Sequence, residues 1–238
     1  MYRVASPRGL PLKLLSVRLL AFGKYFCMDA LALGQLLAAP INLPTTPFAP
    51  VAVGFMGLGT GYLIYGPQEL LGYPPRNEGV DYGTGIWGVW MPGLMQLITG
   101  LYLFAALTLF GTLHTPALYM AALAFTAYGV HWFAMGLNRM RGTDARVSLG
   151  MAVAFLLISI LGIIVFFGAH DVPLGLLFVG LTCIYASDLL VSLRPDLPGP
   201  GALGERSLGF FHIVTGFWLI YLMFAVTLNT TLGYTLWF

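Results

Sequence analysis

Eight side chains able to meet a polar solute stand inside apolar sequence: Gln96, Thr99, Thr126, Tyr128, His131, Asp188, His212 and Thr215. Gln96, Thr99, Thr126, Tyr128 and Thr215 offer amide or hydroxyl donors. An anion stripped of water needs such donors, because an unpaired ion in hydrocarbon is costly. The same groups serve equally well as hydrogen bonds between helices, and Gln96, Thr99 and Thr215 are open to either role. His131 and His212 are compatible with a haem or metal pair. One imidazole on each of two segments is a sparse signal, structural hydrogen bonding is the better reading, and no cofactor or metal is expected. Asp188 has only Ser187 as a polar neighbour, and six residues of helix, roughly 9 Å, separate it from Arg194. It is therefore either a functional intramembrane acid or a hydrated group near the interface, and it is not assigned to an anion path, where it would repel. Paired carboxylates, a Gly-rich phosphate loop and a Cys/His cluster are absent, so an enzyme is not expected.

The elements that must position these residues are transmembrane helices. Of 238 residues, 58% are hydrophobic and 8% charged, with a mean hydropathy of +0.85, whereas a soluble domain carries roughly 25% charged residues. The net charge of +2 provides no dense basic face, so no nucleic-acid partner is expected. Cys27 and Cys183 fall in apolar runs and read as small buried hydrophobes. Residues 1–46 form a separate segment in which Arg3, Arg8, Lys13, Arg18 and Lys24 are spread among leucines, read as an interfacial amphipathic helix rather than a secretory signal. Pro40, Pro44, Pro47 and Pro50 then end it.

Residues 47–238 form the membrane domain, an all-α bundle of six spans. The spans run over 49–66, 85–111, 117–137, 148–167, 173–193 and 207–229, and the stretch 67–84, with Glu69, Arg76, Glu78 and Asp81, reads as a polar loop. Gly54, Gly57, Gly59 and Gly61 crowd the first span and predict close helix packing. Basic residues balance across the two sides, five against six, so the positive-inside rule does not orient the chain.

A set of motifs in fixed order resembles the acetate uptake transporter family, also described as succinate/acetate permeases. The first span reads Gly54-Phe55-Met56-Gly57-Leu58-Gly59, the second carries Gly93-Leu94-Met95-Gln96 and Gly100, and the third carries Ala124-Phe125-Thr126-Ala127-Tyr128-Gly129 with Trp132. Phe166-Phe167-Gly168, Leu181-Thr182, and Gly216 with Ile220-Tyr221 come next in the same order, so the similarity covers roughly Pro47 to Asn229.

The resemblance implies a homo-hexamer in the cytoplasmic membrane of a prokaryote, each protomer carrying its own narrow path for a small carboxylate anion. The family's constriction of Phe, Tyr and Leu falls on Leu58, Tyr128 and Leu181, one aromatic position being replaced by another apolar residue that can still exclude water. Gln96, Thr99 and Thr126 become expected path residues, and His131, three residues beyond Tyr128, a candidate for proton-linked uptake. Two motifs depart from the family. The first helix opens Ala49-Pro50-Val51-Ala52-Val53-Gly54 without the family's asparagine, and Met91-Pro92-Gly93 stands where Tyr-Gly-Gly is usual. These departures fit either a branch with a different substrate or a structural subunit that uses the scaffold to pack against other membrane subunits.

Overall fold

The computed structural model describes residues 50–143, 145–193 and 200–238. The basic segment 1–46 lies outside the described residues. Six helices succeed one another: α1 (Val51–Leu71), α2 (Glu78–Thr108), α3 (Ala117–Arg141), α4 (Leu149–Gly168), α5 (Val172–Leu193) and α6 (Pro200–Leu232). They correspond one to one with the six spans expected, and no strand occurs among the described residues. Five of them, α2 to α6, are long and apolar enough to cross a membrane. The 21 residues of α1 reach about 32 Å, the length of a span. Its glycines dilute its apolarity, which it tolerates because eleven of its residues are buried among its neighbours.

The expected loop 67–84 is much shorter. Helix α1 continues through Pro67 to Leu71 and stops at Gly72, whose left-handed φ of 68° suits a residue without a Cβ. Helix α2 starts at Glu78 because Asn77 caps it, its Oδ1 accepting the Val80 N–H at 3.0 Å, with Glu78 and Asp81 complementing the helix dipole in the first turn. Glu69, Glu78 and Asp81, which read as loop in sequence, therefore belong to the ends of two helices, and Arg76 stays in the connection between them. Pro92 interrupts α2, and the chain responds with a π turn over Val89–Leu94, which absorbs the missing N–H and the ring's clash with the preceding turn. At the opposite end of the bundle, Asp171 Oδ1 accepts the Leu174 N–H at 3.1 Å at the start of α5. Half-burial raises the Asp171 carboxyl above its ordinary range, opposed by that backbone bond.

Glycine brings three of the helix pairs together. On α1 and α6, a Cβ at Gly66 would stand 3.0 Å from Gly209 O, and one at Gly209 would stand 2.7 Å from Gly66 O. On α2 and α3, a Cβ at Gly129 would fall 2.6 Å from Leu97 N and 2.9 Å from Gly93 O. On α4 and α5, Gly162 leaves the space that the Phe178 ring occupies. Bulky apolar residues such as Leu157, Ile164, Phe217 and Phe224 are exposed on the outside of the bundle, as expected of a surface that lipid covers.

Gly129→Val places atoms against backbone that cannot move aside, so its cost is expected at or above the upper end of the ~1–3 kcal/mol typical of overpacking. Gly150→Ala, at a position with open space around it, is the control. Thermal unfolding in detergent should show a large loss for the first and almost none for the second.

Candidate functional site

Helix α3 supplies the wall along which the interior of the bundle is lined. Its residues Phe125 and Tyr128 face a narrow cavity of about 30 Å³. One to three turns further on, His131, Trp132, Met135, Asn138 and Arg139 face a larger chamber of about 190 Å³. The spacing of three and four residues keeps all of them on one face of a helix.

The narrow cavity gathers Leu58 from α1, Gln96 from α2, Tyr128 from α3 and Leu181 from α5, with Phe55, Phe125 and Phe178 around them. All four are at most 2% exposed. Gln96 is the exception in an apolar lining: its Oε1 and Nε2 are both buried and meet no hydrogen-bond partner among the described residues. Leaving a buried polar group unsatisfied costs about 1–3 kcal/mol. The Tyr128 hydroxyl lies 2.9 Å from Ser159 Oγ, and the Ser159 hydroxyl donates to Phe155 O at 2.7 Å. With the serine proton committed to Phe155, Tyr128 donates to Ser159, and its ring rather than its O–H faces the cavity. Ser159 is the one hydroxyl on the inner stripe of α4, formed by Ala152, Phe155, Ser159, Gly162 and Phe166.

The chamber is lined by α1, α3, α5 and α6, with Arg76 just before α2 and Ser148 just before α4, and its chemistry is polar. His212 Nδ1 on α6 pairs with Glu69 Oε2 on α1 at 2.5 Å, and the His212 ring stacks on Tyr62 with centroids 4.6 Å apart. His131 sits across the chamber against Phe155, 4.6 Å between centroids. The Trp132 N–H is buried without a partner among the described residues. At the mouth, Asp81 accepts from Arg76 Nε at 3.1 Å and from Arg139 Nε at 3.2 Å. Tyr185, on the chamber wall, and Tyr128, on the cavity wall, stack at 5.7 Å with 7° between their planes. That stack links a residue of one lining to a residue of the other.

The residues singled out in sequence divide into groups. Leu58, Tyr128, Leu181 and Gln96 converge on the narrow cavity. His131 and His212 converge on the chamber together with Asp188, which the sequence reading keeps off the path and which α5 places one turn beyond Tyr185. Thr99 and Thr126 line neither space. Thr99 donates to Met95 O at 2.8 Å, and the Thr126 side chain fills the surface left by Gly100. Thr215 faces an outer groove between α5 and α6. Sequence reasoning missed Ser159, Glu69 and Arg139 as parts of the interior. Ser159 is signalled by its place on the inner stripe of α4, whereas Glu69 and Arg139 lie beyond the ends assigned to their spans. No three His, Cys, Asp or Glu side chains gather as a metal-ligand set among the described residues.

A bundle of six helices of membrane length, with a narrow apolar cavity inside it and a polar chamber at one end, defines a helical membrane protein. Among solved structures the fold is shared with the bacterial acetate channel SatP, at a TM-score of 0.60 and 21% sequence identity, over 79% of this chain and 97% of that one. No protein-family model matches the chain, and no curated protein matches it in sequence.

Ser159→Ala should destabilise the protein by about 1–3 kcal/mol by stranding the Tyr128 hydroxyl, and adding Tyr128→Phe should restore most of the loss because both partners are then apolar. Thermal unfolding of the two single variants and the double variant measures the coupling.

Proposed function

We propose that the chain is a membrane permease for small monocarboxylate anions such as acetate. Each protomer of a homo-hexamer in a prokaryotic cytoplasmic membrane conducts through its own path. The apolar waist of Leu58, Tyr128 and Leu181 limits the size of what passes and excludes water. Gln96 offers its amide N–H to the carboxylate at the one point where all other contacts are apolar. The orphaned Gln96 amide carries this reading, since a buried group with no protein partner is retained at a cost unless a polar visitor satisfies it. The shared fold with an acetate channel supports the choice of visitor. Thr99, bonded back to Met95 O, has no direct role in it, and Thr126, whose Oγ1 also lacks a partner among the described residues, has none because it lies against Gly100 outside both spaces. His131 contributes a proton-linked step from the chamber wall.

Uptake of labelled acetate into liposomes containing the purified protein tests the proposal against empty liposomes. Saturable uptake is expected, reduced about tenfold or more by Gln96→Leu while thermal stability holds or rises, because that variant removes an unsatisfied group. Tyr128→Ala should alter the rate by opening the waist. No uptake across a panel of small carboxylates would favour a structural subunit of a larger membrane assembly. A pH profile of uptake unmoved by His131→Gln would remove the proton-linked step.

A further inference from the structure

Arg139 occupies an unusual place for a cation. Its side chain is 10% exposed against 59% for Arg76, and it stands between two spaces, lining the chamber inside and an outer groove of about 680 Å³ shared with Arg76, Asn77 and Asp81. Its guanidinium carbon lies 4.3 Å over the Tyr65 ring, which stacking fixes in place. Among the described residues the one carboxylate it meets is Asp81, through Nε alone at 3.2 Å. Asp81 is held more fully by the other arginine, whose Nε and Nη2 reach its two oxygens at 3.1 and 3.3 Å. Arg139 can therefore release Asp81 without stranding a buried carboxylate, since Arg76 keeps it paired. Two turns of α3 further in, Trp132 lines the same chamber, and its buried N–H has no partner among the described residues. The acids on the other walls, Glu69 and Asp188, repel an anion and leave the α3 side as its route.

We infer that Arg139 admits the anion: a substrate carboxylate replaces Asp81 at its guanidinium, and the Trp132 N–H receives it next on the way to the Tyr128 waist. Asp81 acts as the internal stand-in for substrate, and its competition sets the affinity of the mouth. This assignment rests on the permease reading and deepens it. A guanidinium fork matches a carboxylate in a way that an ammonium does not, so Arg139 also determines specificity for carboxylates over other small anions.

Initial rates of acetate uptake over a concentration series separate this from a purely structural pair. Arg139→Gln should raise the half-saturating concentration about tenfold or more with little change in maximal rate. Arg139→Lys, which keeps the charge and guards against loss of folding, should give an intermediate value. Asp81→Asn should lower the half-saturating concentration by removing the competitor, and Arg76→Gln should raise it, by less than Arg139→Gln, because Asp81 then has Arg139 as its remaining partner. Half-saturation unchanged in Arg139→Gln, or raised by Asp81→Asn as much as by Arg139→Gln, would overturn the assignment and reduce the pair to a fastener between α2 and α3. Equilibrium binding of labelled acetate to the detergent-purified protein keeps the two readings apart. Binding lost in Arg139→Gln supports the site even if the wild type moves no acetate. Wild-type uptake with binding untouched by Arg139→Gln overturns the site and leaves permeation standing, and a wild type that neither binds nor transports acetate overturns both.

Discussion

Everything inside this bundle depends on how closely the first helix approaches the last. Lipid offers no hydrophobic drive for two helices to associate, so close packing of backbone and small side chains must hold them. Gly59 and Gly66 on α1, two turns apart, face Gly216 and Gly209 on α6 in the opposite sense. A methyl group at Gly66 or Gly209 would press on a carbonyl of the partner, so the distance between these helices is fixed by backbone rather than by side-chain bulk. The consequence is positional. With its small side spent on α6, α1 turns Phe55 and Leu58 inward to the narrow cavity and brings Glu69 onto His212 and Tyr62 under the same ring.

The interior that results is graded from charge to oil. Arginines and Asp81 stand at the mouth, a carboxylate–imidazole pair and a second imidazole line the chamber, two stacked tyrosines come next, and the waist is apolar except for one amide. On the permease reading proposed above, an ion moving along such a gradient would exchange water for protein donors in steps, each smaller than the full cost of entering hydrocarbon at once. The waist needs little polarity if it is short and has one donor within reach. On the same reading Gln96 would be that donor, whereas the Tyr128 hydroxyl is turned away to Ser159 and contributes bulk.

The span count and the convergence of Leu58, Tyr128, Leu181 and Gln96 were legible in the sequence because hydropathy fixes helices of membrane length and ordered motifs fix their inner faces. Helix ends were not. Composition assigned Glu69 and Asp81 to a loop, since charges and prolines normally break a span, but Pro67 is tolerated in the last turn of α1 and Asn77 restarts the chain as helix almost at once. The chamber was invisible for the same reason, being built in part from residues just beyond the apolar runs: Glu69, Asn138 and Arg139. Thr99 and Thr126 misled in the opposite direction. Their hydroxyls mark them as donors, yet nothing in a linear sequence tells a back-bonded threonine, or one buried against a glycine, from one that faces a path.

Of the two departures from the family's motifs, Met91-Pro92-Gly93 has a structural counterpart on the facing helix. The π turn over Val89–Leu94 pushes the Met91 carbonyl and the Pro92 ring outward, and they arrive at Gly57 and Gly61 of α1, where a Cβ would stand 2.5 Å from Met91 O and 2.7 Å from Pro92 Cγ. Neither contact could form against a larger residue. A π turn also holds one more residue than the α turn it replaces, which rotates the remainder of α2 by about 100° relative to a continuous α-helix. Gln96 lies two residues beyond that turn. The proline therefore does more than replace a flexible glycine: together with the α1 glycines it sets the rotation of α2 that delivers the Gln96 amide to the waist.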